Sequence, residues 1–316
     1  MLAEKFRTLL RTRLRTRWAR DVIRKIESWK YLDRDIWDPE HGSQLIYQAC
    51  QSGLPQAIGK LGSVELGAIR KYLRWCNHPQ REELTALDRQ ILYTNAGVFP
   101  NDCHMLESFS VFMTRQVLPE LTLIGVWFNL GEANVVKRYA LATRRIAITS
   151  FESYWITQQP WTKALQGKRV LVVHPFEATI RAQYPYRLKI WMGREDVLPK
   201  FELLTMKVPQ SPALITPRHA SWFEALEDMQ QQMSAVEFDI ALIGAGAYSL
   251  PLAVHAKKLG KQGIHLGGAT QIFFGIKGGR WDVDPVISQF YNEHWIRPLP
   301  EDTPPHNTLI EGGTYW

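Results

Sequence analysis

The stretch from Phe238 to Thr270, FDIALIGAGAYSLPLAVHAKKLGKQGIHLGGAT, constrains the fold of this chain more than any other segment. An apolar run, Ile240 to Ile243, stops at Gly244-Ala245-Gly246. A helix-compatible segment from Leu250 to Leu259 follows and Gly260 ends it at a C′-like position; Gly263 then leads into a second apolar run at Ile264-His265-Leu266. Strand, glycine turn, helix and second strand thus stand in one compact unit. Glycines at a strand-to-helix turn let backbone N–H groups approach an anion closely, and the helix N-terminus behind them carries partial positive charge. Gly244, Gly246 and Ser249 are therefore candidates to hold a diphosphate or its nucleoside. Gly267 and Gly268 close the next strand at the same sheet edge, where open α/β sheets bind ligands. A tight turn needed only for packing is the competing account of the same glycines.

The turn departs from the full GxGxxG pattern. Ser249 takes the place of the third glycine, and Pro251 falls in the first helical turn, where proline is tolerated. The second strand ends in His265-Leu266-Gly267-Gly268, with no acidic residue to hold a ribose. A standard dinucleotide site, and with it an NAD-linked oxidoreductase, is disfavoured.

At 316 residues and 45% hydrophobic the chain buries a large core, which excludes a disordered protein. Cys50, Cys76 and Cys103 are scattered and odd in number, which argues against a disulfide framework or structural zinc and for a reducing, cytoplasmic setting. No apolar run is long enough to cross a bilayer, and the N-terminus lacks the apolar core of a secretion signal. The net charge of +7 is carried by one end: residues 1–30 hold ten basic side chains against three acidic ones, and the remaining residues balance at 28 of each. The body therefore has no bulk electrostatic reason to bind nucleic acid. In the arm, Leu2, Phe6, Leu9, Leu10, Leu14, Trp18, Val22 and Ile26 recur at three- and four-residue spacing among arginines. This is a basic amphipathic helix over residues 2–26, suited either to an anionic membrane surface or to docking on protein.

The chain divides into that arm (1–30) and an α/β body (31–316), with a lobe boundary expected near Pro160 to Gly167 (lobes 31–160 and 161–316). Helices are expected over Ser43–Gln51, Val64–Trp75, Arg81–Leu92, Leu106–Leu118 with Asp102 as cap, and Trp222–Met233 with Ser221 as cap. Strands are expected at Gln56–Leu61, Leu121–Phe128, Arg145–Ile148 and Lys168–His174. Their order predicts a mostly parallel, Rossmann-like sheet with helices on both faces and a cleft along the carboxyl ends of the strands.

A second strand, glycine turn and helix start occurs at Ile58-Gly59-Lys60-Leu61-Gly62-Ser63-Val64-Glu65-Leu66. Ser63 and Glu65 suit a helix N-terminus on structural grounds alone. Alternatively Glu65 faces the cleft as a metal ligand or an acceptor for sugar hydroxyls, with Lys60 nearby for phosphate. His174 and Glu177 directly follow the strongest strand; either suits a general base, while Glu177 and Arg181 equally suit a surface i,i+4 pair. His265 is lone on a strand end, where a buried structural histidine is the commoner use. The tail is rich in aromatics; Trp281 and Trp295 are candidates to stack on a sugar or base, although filling the core is more usual.

These segments resemble the bacterial glycosyltransferases of the GT-D fold. Their N-terminal motif runs approximately Arg-Phe-Gly-Asp-Gly-Glu, and this chain has Lys60-Leu61-Gly62-Ser63-Val64-Glu65 in its place: the glycine and glutamate match, the aspartate is Ser63 and the arginine Lys60. The NAGVFPND loop with Asn101 and Asp102, the VLVVHP strand and the IGAGAYSLPLAVHAKKLGKQGIHLGG unit are similar to that family in order and spacing, over roughly residues 56–280. The resemblance implies transfer of a sugar from a nucleoside diphosphate donor to a surface-glycan or lipid-linked acceptor at the inner face of the membrane. It also implies a divalent metal (Mn or Mg) near Glu65. With one carboxylate left, either Glu65 binds metal with another group such as Asp102, or the diphosphate is neutralised without metal by glycine-turn amides and basic side chains such as Lys60, Arg181, Arg187 or Lys277. Loss of the paired carboxylate also favours a catalytically silent nucleotide- or sugar-binding protein that recruits partners at the membrane.

Overall fold

The computed structural model describes residues 17–316. Seven strands form one wholly parallel sheet: β1 (Gln56–Lys60), β2 (Leu123–Val126), β3 (Arg144–Ala147), β4 (Arg169–Val173), β5 (Glu202–Met206), β6 (Ile240–Ile243) and β7 (Gln262–His265), in the order β3-β2-β1-β7-β6-β4-β5. The helices are α1 (Arg17–Ser28), α2 (Pro39–Gln51), α3 (Ser63–Trp75), α4 (Arg81–Ala96), α5 (Cys103–Phe112), α6 (Glu132–Tyr139), α7 (Glu177–Gln183), α8 (Arg187–Ile190), α9 (Trp222–Ser234), α10 (Ser249–Lys258), α11 (Ala269–Phe273) and α12 (Gly279–Asp282). The α/β expectation holds.

The central strands are apolar without interruption because both of their faces are covered. Along β4, Val170 and Val172 enter one core while Leu171 and Val173 enter the other, as the period of two requires. Helices α3, α4, α5, α6, α9 and α10 pack on the first face; α2, α7, α8 and α11 pack on the second with the crossover between β3 and β4. Residues on both sides of 160–167 belong to this one sheet, since β7 pairs with β1 on one side and β6 on the other.

Asp102 caps α5 by accepting from the Met105 N–H at 2.7 Å, and Ser221 caps α9 through the Glu224 N–H at 3.3 Å, both as expected. Beyond Phe112 the chain continues through a π-turn, Met113–Val117. The arm residues Leu2, Phe6, Leu9, Leu10 and Leu14 lie outside the described residues. Where the arm is described, it is helical to Ser28, and Val22 and Ile26 are exposed. No helix among the described residues is long and apolar enough to cross a membrane.

Two adjacent strands position the site. After β1 the chain turns onto the first face as α3, and after β7 onto the second as α11. The carboxyl ends of neighbouring strands thus part in opposite directions, which opens a crevice between them. Helix α10 lies across both strands, close enough that a Cβ on Gly263 would meet the Ala253 backbone at 2.5 Å.

Candidate functional site

Lys60 ends β1 and points along the crevice, its ammonium 4.8 Å from the centre of the Trp127 ring. Burial holds its pKa down to about 8; the carboxylates of Glu152 and Glu65 oppose that shift and Arg280 adds to it. At neutral pH the group remains a cation, flanked by two acids. Burial raises the pKa of both, and the charge of Lys60 pulls each part of the way back. Glu65, in the first turn of α3, folds over Gly62: a Cβ there would stand 2.1 Å from Oε2 and would displace the carboxylate from this position. Trp127 is held by Glu132, a fully buried carboxylate that accepts from the Trp127 N–H at 3.0 Å and the Asn129 N–H at 3.2 Å. Its burial raises its pKa to about 7.

The β7 side supplies the opposite wall. Gly267 has φ +59, and a Cβ on it would stand 3.4 Å from His265 Nε2 and 3.5 Å from Lys60 Cε. A Cβ on Gly268 would meet the Trp281 ring at 3.3 Å and Arg280 at 3.9 Å. Arg280 lies over the rings of Tyr315 at 4.6 Å and Trp281 at 5.5 Å, and pairs with Glu311. The indole N–H groups of Trp127 and Trp281 are buried and have no hydrogen-bond partner among the described residues. Unpartnered buried donors are costly in an interior and useful in a ligand site. Cations, carboxylates and aromatic faces with free N–H groups therefore line one crevice.

Of the residues singled out from sequence, Lys60, Gly62, Glu65, His265, Gly267 and Gly268 meet here, with Trp281 beside them. Burial lowers the pKa of His265 to about 3, with Lys60 adding to it, so the ring is neutral. The other candidates are occupied elsewhere. Ser63 is exposed on the first turn of α3. Asp102 is used by its cap, and the Asn101 amide donates to Gln90 Oε1 at 2.7 Å.

His174 accepts from the Phe176 N–H through Nδ1 at 2.9 Å, which leaves the proton on Nε2, and burial holds its pKa down to about 3. An imidazole in that state is not a general base. Glu177 Oε1 accepts from Arg181 at 2.8 Å and from the Thr205 hydroxyl at 2.6 Å, which matches the surface-pair alternative for Glu177 and Arg181. The Gly244 turn is also filled from within. A Cβ on Gly244 would meet His174 at 2.6 Å and the Gly267 carbonyl at 2.9 Å, and Ser249, fully buried, accepts the Ala245 N–H at 2.8 Å. Only Gly246 in that turn is exposed. Trp295 is buried against Trp191 and donates to the Ile190 carbonyl, a core residue.

Glu152, Trp127, Glu132, Arg280 and Tyr315 were not identified as site residues from sequence. Trp127 and Glu152 follow β2 and β3 closely, a positional signal that would have found them. Tyr315 and Arg280 are brought in by the tail, whose Trp316 carbonyl accepts from the Gly279 N–H at 3.1 Å and whose Tyr315 carbonyl accepts from Gln271 at 2.8 Å.

Among the described residues no three His, Cys, Asp or Glu side chains stand together as a metal site. Comparison with models of protein families, with curated proteins and with solved structures gives no match to this chain.

Proposed function

We propose that the chain is a glycosyltransferase that moves a sugar from a nucleoside diphosphate donor to an acceptor hydroxyl on a glycan or lipid-linked molecule, with the β1–β7 crevice as its active site. The observation that carries this reading is Lys60, a half-buried cation set between Glu65 and Glu152 and against the Trp127 face. Aromatic faces and carboxylates suit a sugar; a lysine at the same point suits the phosphate it leaves behind. In transfer, the bond between the anomeric carbon and the phosphate oxygen breaks and the electron pair leaves with the diphosphate. The acceptor oxygen bonds to that carbon, and its proton passes to Glu65 or Glu152. Burial raises both carboxyl pKa values towards neutrality, which strengthens them as bases. Lys60 stabilises the charge gathering on the departing oxygen, the largest effect a preorganised site commonly supplies.

The donor set does not fit a divalent cation. Ser63 stands where the motif this segment resembles has aspartate, the charges acting on Glu65 are Glu311, itself paired with Arg280, and Lys60, and no three His, Cys, Asp or Glu side chains stand together among the described residues. No step above runs through a metal.

The test incubates purified chain with a panel of nucleotide sugars, with and without manganese, and follows released diphosphate. Turnover is expected without manganese and falls about 10²–10³-fold in Lys60→Ala. Comparing Glu65→Gln with Glu152→Gln identifies the base. Turnover that survives Lys60→Ala moves the chemistry out of this crevice; tight donor binding without turnover on any acceptor makes the chain a silent binding module.

A further inference from the structure

The loop that carries Trp127 has a second side. Leu130 and Gly131 face a groove of about 470 Å³ between the end of α1, the outer face of α3 and the start of α6. Five cations line it, Lys30, Arg70, Lys71, Arg74 and Arg138, against two carboxylates, Glu27 and Asp88. Both carboxylates are engaged by lysines: Glu27 by Lys30 at 2.7 Å and Asp88 by Lys71 at 3.2 Å. Arg70, Arg74 and Arg138 have no ion-pair partner among the described residues. Gly131, with φ +77, brings Arg70 onto the floor, since a Cβ there would stand 2.4 Å from Arg70 Nε. Arg74 and Arg138 lie over Trp75 and Tyr139 at 4.7 and 5.3 Å. Three guanidinium groups are thus presented at one groove.

The surroundings of the groove are apolar and exposed. Leu73 and Leu130 line it, and beside the lining residues Glu27 and Lys30 stand Ile26 of α1, 49% exposed, and Trp29, just past the end of α1 and 71% exposed, while Arg24 and Lys25 are exposed on α1. A free inorganic anion gains nothing from exposed isoleucine and tryptophan. A bilayer uses both parts: guanidinium groups pair with lipid phosphates, and Trp29 and Ile26 enter the boundary between headgroup and acyl chain.

We propose that α1 and the arginine groove together form a docking face for an anionic lipid bilayer, with the groove as the subsite for a lipid phosphate. The inference is independent of the transferase reading, because no residue of the crevice takes part in it. The shared loop Trp127–Gly131 would nevertheless place the crevice beside the membrane surface.

Full-length chain is co-sedimented with vesicles of phosphatidylcholine alone and of phosphatidylcholine mixed with phosphatidylserine. Binding is expected only to the mixed vesicles, weakening as salt rises. The double variant Arg74→Ala/Arg138→Ala, both exposed side chains, loses about thirtyfold in affinity at roughly 1 kcal/mol per basic residue, with an unchanged thermal melt. Trp29→Ser weakens binding while leaving the salt dependence intact. The proposal is overturned by equal binding to neutral vesicles, or by mixed-vesicle binding that is indifferent to the arginine pair. It is also overturned if inorganic phosphate binds in an arginine-dependent way while vesicles do not, which would make the groove a site for a free anion.

Discussion

Two glycine turns at the carboxyl edge of one sheet look alike in sequence and are used in opposite ways. After β6, Gly244 gives up its space to His174 and the Gly267 carbonyl, and the Ser249 hydroxyl takes the Ala245 N–H; the turn is closed by its own neighbours. After β1, Gly62 gives up its space to the carboxylate of Glu65; after β7, Gly267 is fixed by its φ of +59 and lies in contact with Lys60, and both side chains remain partly exposed and carry charge. A missing side chain therefore has no fixed meaning. What enters the vacated space decides whether the turn is packing or site.

Exchanging the roles of the two turns tests this contrast. Lys60→Ala is expected to have the largest effect, the 10²–10³-fold loss of turnover given above, with little change in folding stability because a half-buried cation is removed from a costly position. Gly244→Ala is expected to act the other way: the new Cβ meets a ring carbon at 2.6 Å and a backbone carbonyl at 2.9 Å, costing about 1–3 kcal/mol of stability by overpacking, read as a lower urea midpoint at constant m. A Gly244→Ala protein of unchanged stability would show that the β6 turn is roomier than the structure has it.

The pH profile separates the turns by a smaller margin. An anionic ligand needs Lys60 protonated, so binding and turnover are full below its pKa of about 8 and are lost as pH rises through it, by roughly tenfold at one unit above. Stability of the free protein runs in the opposite sense: it rises from about pH 8 towards 10.5, because the unfolded chain holds that proton more tightly. A flat profile for ligand binding between pH 7 and 9 would remove Lys60 from the site.

Much of the fold was legible because buried parallel strands are near-continuous apolar runs and glycine or proline punctuates their ends. β5 was not: Glu202–Met206 is an edge strand, mostly half-exposed, whose mixed sequence ELLTM has neither a sustained run nor a clean alternation. Within the site, Lys60, Gly62, Glu65, Gly267 and Gly268 were legible because they directly follow strands, and topology places strand ends together. Arg280 and Tyr315 lie far along the chain and arrive through tail contacts that no local pattern encodes. Ser249 and His174 were ambiguous in sequence for a related reason. A hydroxyl or imidazole beside a turn serves a ligand or the turn itself, and only the hydrogen-bond partner distinguishes the two uses.

Ser249→Ala isolates that distinction with the smallest effect. The variant removes the acceptor of the Ala245 N–H within a fully buried turn and changes little in volume. One amide is left without its partner, which costs ~1 kcal/mol or somewhat more, visible as a lower denaturation midpoint. Donor affinity and turnover are expected to remain at the level of the parent chain, since the hydroxyl faces its own backbone and not the crevice. A Ser249→Ala protein that keeps its stability but loses donor affinity would reverse the assignment, making the β6 turn the anion cradle and the β1–β7 crevice its neighbour.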